Sequence, residues 1–266
     1  MPPISLGLGL GLSRGSRPFS PLDLSPALDL DASRDVYGTG ATDVLFWLDQ
    51  SGNGRDFAQA SGPTQPVYTP AGADSYVTLG GNRWLQGAGT AASWGWLHSA
   101  ASYVVAVAYL PASATTKSSG LITTTPGTGS GVLTTAYCVG LAPTGGAEMY
   151  VIGPATAYAS VAPAGVVLAA PTVVEYLWQP SVSPYARVLS RGVELGTDTS
   201  LSGAVPDATP QYAARVGRYS ASGTGDTYGY RLYRMLAWDR LPSLAERDRL
   251  RLYLAARYGV PMTYGA

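Results

Sequence analysis

Short runs of strand-forming residues, each closed by Gly, Pro, Asn or Asp, recur along most of this sequence and restrict the folds that it can adopt. Many short strands separated by turn residues are typical of an all-β sandwich. The run at 103–110 lacks polar alternation, which predicts a central strand that is covered on both faces. Glu175 lies among apolar neighbours, which predicts a strand with one half-exposed face. The predicted strands are residues 44–48, 76–79, 103–110, 121–124, 132–139, 148–152, 173–178, 186–190, 193–195, 213–219 and 230–238.

One α-helix is expected near the C-terminus. Ser243 and Glu246 form a capping box, in which each side chain bonds the backbone N–H of the other. Gly259 and Pro261 stand where a helix that begins there would end. The residues spaced for one helical face are Leu250, Tyr253, Leu254 and Arg257. The other faces are assigned Arg247, Asp248, Arg249 and Arg251.

The first 25 residues have a different composition and no helical period. Leucines alternate with glycines there, and a glycine at every second position leaves one strand face without side chains. We expect residues 1–25 to form an extended arm and residues 26–266 to form one domain. The alternative is an ordinary disordered tail. The leucines expected to attach the arm to an assembly partner are Leu6, Leu8, Leu10 and Leu12.

Charge and composition exclude several functions. The chain carries 17 basic and 17 acidic residues and no basic run, so neither nucleic acid nor an anionic membrane is an expected partner. No uncharged apolar stretch reaches the ~20 residues that a membrane span needs, and the N-terminus lacks the features of a secretory signal. Cys138 is the single cysteine, which rules out an internal disulfide.

Three stretches carry a family resemblance. They are LDLDAS at 28–33 with VLFWLDQSGNGRDFAQ at 44–59, then residues 173–178 with the hairpin VLSRGVEL at 188–195, and finally RVGR at 215–218 with residues 228–260. Together they resemble the laminin-G-like branch of the concanavalin A-like lectin/glucanase superfamily, particularly versions from bacteriophage structural proteins. The resemblance implies a two-sheet antiparallel jelly-roll sandwich, here with one C-terminal α-helix and the N-terminal arm.

Members of that superfamily mostly bind glycans or proteins, and a minority are glycosidases. The resemblance therefore leads us to expect a non-catalytic structural or binding protein of a phage particle, such as a head decoration, spike or tail-fibre subunit. Its expected partners are other virion proteins or further copies of itself, together with cell-surface polysaccharide of the host. It would be made in the bacterial cytoplasm and reside in the virion. The alternatives are a stand-alone carbohydrate-binding module and, more weakly supported, a glycoside hydrolase.

Catalytic residues are not expected. A glycosidase needs two carboxylates flanking the scissile bond, and no Glu-x-Asp-x-x-Glu strand occurs in the sequence. Glu175 is interpreted as an ordinary sheet carboxylate, and His98, the single histidine, as structural or surface-exposed. The loop from Asp49 to Asp56 is interpreted as an Asn-Gly turn, because Ala60 replaces the glutamate of an EF-hand. No cofactor or metal is expected, although calcium stays open because relatives hold it at the sandwich rim.

Aromatic residues are the remaining candidates for ligand binding. The chain has 18 Tyr and 6 Trp but only 3 Phe, which is a preference for rings with a polar edge. In an extended segment, Trp94 and Trp96 would point the same way. The alternative for each aromatic residue is packing in the core or at its rim. The candidate ligand-binding residues are Trp94, Trp96, Tyr212, Tyr219 and Tyr228.

Overall fold

Two antiparallel sheets form the body of the chain. The structure, a computed structural model, describes residues 17–38, 42–112, 119–124, 136–142, 145–152, 157–200, 210, 212–218 and 229–265. The eight strands of what we call the inner sheet are β1 (Leu28–Asp31), β5 (Val67–Thr69), β6 (Tyr76–Gly80), β8 (Ser102–Tyr109), β13 (Pro171–Trp178), β14 (Ala186–Ser190), β15 (Val193–Asp198) and β17 (Gly229–Trp238). Their order is β15-β14-β13-β8-β17-β6-β5, with β1 beside β17.

The second sheet, called the outer sheet, packs against one face of the inner sheet. Its nine described strands are β2 (Val36–Gly38), β3 (Val44–Trp47), β4 (Phe57–Ala58), β7 (Leu85–Gly87), β9 (Ser119–Thr123), β10 (Ala136–Ala142), β11 (Gly146–Ile152), β12 (Ala157–Val161) and β16 (Arg215–Val216). Their order is β12-β11-β10-β9-β16-β7-β4-β3-β2. The predicted all-β sandwich is confirmed.

Helical segments are short, apart from one. The described α-helices are α1 (Trp96–Ser99) and α2 (Leu244–Tyr258), and 3₁₀ turns lie at Pro21–Leu24, Gly62–Thr64, Gly72–Asp74 and Ala91–Trp94. No helix in the described part of the chain combines the length and the apolar character that crossing a bilayer requires.

Strand β8 shows why the sequence at 103–110 has no polar alternation. Val104, Ala106 and Ala108 belong to the core between the two sheets. Tyr103 and the other residues of the opposite face belong to a second core between the inner sheet and α2. Both faces of the strand are therefore buried, and the prediction of a central strand is confirmed.

The C-terminal helix forms as predicted. Ser243 Oγ accepts from the Glu246 backbone N–H at 3.3 Å, and Glu246 Oε2 accepts from the Ser243 N–H at 2.7 Å. Leu250 and Leu254 are fully buried against the inner sheet, and Gly259 ends the helix in the left-handed region. Arg251 departs from its assignment to an outer face, because it is 1% exposed and lies beneath the helix.

The hairpin between β14 and β15 turns at Arg191 and Gly192, which have φ angles of +52° and +79°. A Cβ at position 192 would lie 2.0 Å from the Thr263 carbonyl oxygen, so glycine is required there for space as well as for its backbone conformation.

Some strands begin or end at other residues than the sequence predicts. Of the run predicted at 213–219, the described strand keeps only Arg215–Val216, and part of the run predicted at 132–139 lies outside the described residues.

Candidate functional site

The two outward faces of the sandwich differ in what covers them. Helix α2 and the 3₁₀ turn at Pro21–Leu24 pack on the outward face of the inner sheet. The other described α-helix, α1, is a single turn that contacts β8 and β10. Among the described residues, no long helix covers the outward face of the outer sheet, and its side chains Tyr37 and Phe46 are exposed.

The strand registers place one row of side chains across that outward face, because directly paired residues in antiparallel strands share a face. Tyr37 and Phe46 are 51% and 44% exposed, and Gln86, farther along, is also exposed. Since neighbouring strands lie about 4.8 Å apart, Phe46 and Arg215 are separated by about 14 Å. The row runs, strand by strand, through Tyr37, Phe46, Ala58, Gln86, Arg215 and Thr123.

At the centre of this face, two guanidinium groups stack on one indole ring. The Cζ atoms of Arg215 and Arg218 lie 5.5 and 4.9 Å from the ring centroid of Trp84. Arg215 Cζ also lies 4.6 Å from the ring centroid of Tyr212. All three distances are within the range of a cation–π contact. We call Trp84, Tyr212, Arg215 and Arg218 the arginine–aromatic cluster.

Gly217 makes this stacking possible. Its φ of +89° ends the strand after Val216, and the chain then turns so that Arg218 reaches the same ring as Arg215. A Cβ at position 217 would lie 2.7 Å from both the Arg83 carbonyl oxygen and a Leu79 methyl carbon. The backbone therefore fixes the spacing of the two arginines.

The charge of Arg215 lacks a carboxylate partner among the described residues. The side chain is 8% exposed, and its Nε and Nη1 atoms are buried without a hydrogen-bond acceptor. Burial lowers the pKa of Arg215, and the charge of Arg218 lowers it further. Because a guanidinium group stays protonated in proteins, Arg215 keeps a buried positive charge, and two of its nitrogen atoms have no hydrogen-bond acceptor.

The predicted aromatic residues fall into different places. Tyr212 belongs to the arginine–aromatic cluster. Tyr219, Tyr228 and the four arm leucines lie outside the described residues. Trp94 and Trp96 lie in helical turns rather than in an extended segment, and their ring centroids are 6.4 Å apart.

Trp94 is fully buried, donates its indole N–H to the Ala88 carbonyl oxygen at 3.0 Å and packs edge-on against Phe57. This core position removes it from the candidate ligand residues. Trp96 is half-buried, with the Arg55 Cζ atom 4.9 Å from its ring centroid. Trp96 thus lies at the sandwich rim, and the guanidinium group of Arg55 covers one face of its ring.

A polar cleft lies beside that rim. Ser51, Asn53, Arg55 and Asp239 contribute its polar walls, and its volume is about 330 Å³. Asp49, at the base of the same turn, accepts from the backbone N–H groups of Asp29, Ser51 and Arg55. Its carboxylate is thus occupied by its own loop. Within the described residues, no group of three His, Cys, Asp or Glu side chains is placed to hold a metal ion.

Glu175 occupies a different position from the half-exposed one that the sequence predicts. It is fully buried and faces α2, where its oxygens accept from Arg251 Nε and Nη2, both at 3.0 Å, and from the Tyr103 hydroxyl at 2.6 Å. Burial, and then the charge of Glu175, raises the pKa of Tyr103 well above its ordinary value. The expectation of a half-exposed strand face was wrong because α2 covers this face of β13.

Comparison with solved structures identifies the fold. A Trypanosoma rangeli sialidase in complex with 2,3-difluorosialic acid is 14% identical, with a TM-score of 0.57 over 88% of this chain and 33% of that one. A botulinum neurotoxin type C structure is 9% identical, with a TM-score of 0.56 over 89% and 52%. This chain shares a two-sheet β-sandwich fold with parts of these proteins. It spans between a third and about half of the length of these two proteins. No family model and no curated protein matches the sequence.

Sequence reasoning did not single out Trp84, Arg215 or Arg218. The RVGR stretch entered only through the resemblance, and Trp84 stands apart from the Trp94 and Trp96 pair. The available signal was the Arg-x-Gly-Arg spacing three residues after Tyr212, which places two cations and an aromatic ring within a short segment of the chain.

Proposed function

We propose that this chain is a non-catalytic glycan-binding module whose binding surface is the outward face of the outer sheet. The observation that carries the proposal is the arginine–aromatic cluster, which lies in register with the exposed Phe46 and Tyr37 on the side of the sandwich opposite to α2. Aromatic rings stack on the apolar faces of sugars, while polar side chains between them hydrogen-bond the hydroxyl groups.

The dimensions of the row suit an oligosaccharide. Trp84 and Tyr212 lie beside Arg215, and Phe46 and Tyr37 lie about 14 and 19 Å from Arg215, counted in strand spacings. Gln86 supplies an exposed amide between the two aromatic ends. A chain of several sugar rings laid across the strands would contact both ends.

The structural neighbours support this proposal through their fold. The sialidase neighbour is in complex with 2,3-difluorosialic acid, and the cell entry of the neurotoxin neighbour depends on interaction with two ganglioside molecules. Both ligands carry sugars. We infer that this chain uses the same kind of sandwich for the same class of ligand.

The proposed module binds without cleaving. Hydrolysis of a glycosidic bond generally requires two carboxylates about 5–9.5 Å apart around the bond. The row named above carries none, and Glu175 is buried on the opposite side of the inner sheet. Incubation with bound glycans should release no new reducing ends, and a release that Glu175→Gln abolishes in a folded protein would contradict the proposal.

A glycan array with matched variants tests the binding surface. Trp84→Ala and Phe46→Ala should each weaken binding of the array hits, Trp84→Ala by about tenfold or more, as expected for a central aromatic contact. Tyr264→Ala is the control, because Tyr264 is 43% exposed but lies outside the row. Unchanged binding by Trp84→Ala would contradict the proposed surface.

We also propose that the module is displayed on a bacteriophage particle and attached by its N-terminal arm. The family resemblance and the Leu-Gly composition support this role. Residues 17–25 lie on the α2 side of the sandwich. Phe19 packs against Tyr253, and the Leu24 carbonyl oxygen accepts a hydrogen bond from Trp238 Nε1 at 2.9 Å. Attachment through the arm would therefore leave the proposed binding face directed away from the particle.

Removing residues 1–16 tests the attachment. The truncated chain should still fold, because every described strand and both α-helices lie within residues 28–258. It should no longer co-purify with particles. Incorporation at the level of the full chain would show that the arm has no part in attachment.

A further inference from the structure

We propose that the arginine–aromatic cluster selects sugars that carry a carboxylate, with Arg215 as the residue that binds it. This inference rests on the proposed glycan-binding function and adds the substrate class. Its main observation is that Arg215 Nε and Nη1 are buried without an acceptor, although a guanidinium group stays charged.

Comparison with the other buried arginines shows how unusual this is. Three described arginines are classed as buried, and two of them are paired with carboxylates. Arg234 pairs with Asp29 and Asp31, and Arg251 pairs with Glu175 and Asp248. Arg215 has no such partner in the described part of the chain. Arg247, half-buried, also leaves two nitrogen atoms unpaired, but the charge of Glu175 acts on it.

A buried, unpaired charge is unfavourable, and an incoming anion would remove that penalty. The planar fork of a guanidinium group matches the two oxygens of a carboxylate. Arg218 is more exposed than Arg215 and stacks on the same indole ring, which adds a second positive charge beside Arg215. Both arginines thus favour a negatively charged ligand.

The rings around Arg215 indicate that the carboxylate belongs to a sugar. Trp84 and Tyr212 are half-buried and flank Arg215, with ring centroids 5.5 and 4.6 Å from its Cζ atom. A pyranose ring with its acid group toward Arg215 would pack on one of these rings. Hexuronic acids and sialic acids both combine a pyranose ring with a carboxylate, and their neutral counterparts lack the carboxylate.

Calorimetric titration of the full chain with four probes tests the inference. Trigalacturonic acid is compared with its methyl ester, and 3′-sialyllactose is compared with lactose. We expect at least one acid to bind about tenfold or more tightly than its neutral counterpart, as a charge-assisted pair provides. The pair that shows the difference distinguishes the two sources. A sulfated lactose that binds more tightly than both acids would overturn the choice of a carboxylate.

Three variants connect the selectivity to the cluster. Arg215→Gln should reduce the ratio of acid to neutral affinity to about one. Arg249→Gln is the matched control, because Arg249 stacks on Phe19 at 4.7 Å on the opposite side of the sandwich. If Arg215→Gln does not fold, as judged by thermal melting, Arg218→Gln should still lower the ratio several-fold.

The outcomes separate the two proposals. Equal affinity for acid and neutral probes, with binding lost in Trp84→Ala, would overturn the carboxylate selectivity and leave glycan binding intact. A preserved ratio in folded Arg215→Gln would also overturn it. Absence of binding to every probe and to the glycan array would overturn the proposed function as well.

Discussion

The two outward faces of this sandwich treat buried arginines in opposite ways. Under α2, Arg251 bonds Glu175, and Arg234 forms a two-pronged pair with Asp29 at 2.9 and 2.6 Å. On the outer sheet, Arg215 is nearly as buried but has aromatic rings as its described neighbours. A desolvated cation paired with an acid stabilises the fold, whereas the ligand role that we propose for Arg215 depends on a buried charge that no described carboxylate neutralises.

The acid-paired arginines fasten separate parts of the chain. Arg234 connects β17 to β1 by pairing with Asp29, and its Nη1 atom lies 3.3 Å from Asp31 Oδ2. Arg251 connects α2 to β13 by pairing with Glu175. Burial alone would lower the pKa of Arg234, but the hydrogen bonds and charge of Asp29 raise it above its ordinary value. Burial raises the pKa of Asp29, and the hydrogen bonds and charge of Arg234 oppose this shift.

Breaking an acid–arginine pair under α2 should have the largest effect. Glu175→Gln leaves Arg251 without its buried counter-charge, so the free energy of unfolding should fall by about 3–5 kcal/mol. The control, Glu194→Gln, removes a surface pair with Arg187 and should cost about 1 kcal/mol or less. Denaturant titration measures both, and a Glu175→Gln protein as stable as the wild type would remove the contrast between the faces.

Truncation of the helix contact comes next. Leu254 is fully buried between α2 and the inner sheet, so Leu254→Ala should lower the free energy of unfolding by about 2–5 kcal/mol. Leu252→Ala, at a position that is 56% exposed, provides the control and should have little effect. Equal stabilities of the two variants would mean that α2 does not cover the inner sheet in solution.

One substitution made on both faces sharpens the comparison. Arg215→Met removes an unpaired buried charge together with its cation–π contacts, and these effects oppose each other. The free energy of unfolding should therefore change by no more than about 1 kcal/mol. Arg251→Met should lower it by about 3–5 kcal/mol, because Glu175 is left buried and unpaired. Similar losses in both variants would assign Arg215 a structural role.

The smallest expected effect concerns the start of α2. Hydrogen bonds from Arg240, and then from the Ser243 backbone N–H, lower the pKa of Glu246 from 4.5 to about 2. The stabilisation from this lowered pKa is fully present above pH 4.5 and is lost as the pH falls toward 2. Glu246→Gln should therefore be slightly less stable than the wild type at neutral pH, and thermal melts of the two should converge near pH 2. A constant difference would contradict this origin.

Much of the fold could be predicted because local patterns are unambiguous there. The run at 103–110 and the capping box at Ser243 each fix one element from adjacent residues. Strand β1 was missed because Asp29 and Asp31 interrupt its apolar residues, and only the distant Arg234 explains their burial. The buried position of Glu175 likewise depends on Arg251, which is far away in the sequence.

The candidate site was harder to predict, for the same reason. Tyr212 was selected as an aromatic residue beside a Gly-rich stretch, but its partners Trp84 and Arg215 come together only through the pairing of β7 with β16. Trp94 was selected for its neighbour Trp96, and helical turns direct Trp94 into the core instead. Composition can nominate aromatic residues, but the register of the strands decides which of them share a face.

Hydrogen–deuterium exchange, with and without a saturating glycan from the array, tests the central claim most directly. Binding to the outward face of the outer sheet should slow exchange in peptides that cover β7 and β16, and should leave α2 unchanged. Slower exchange confined to α2, or to the cleft around Asn53 and Arg55, would contradict the account and move the binding surface to the helix side or to the rim.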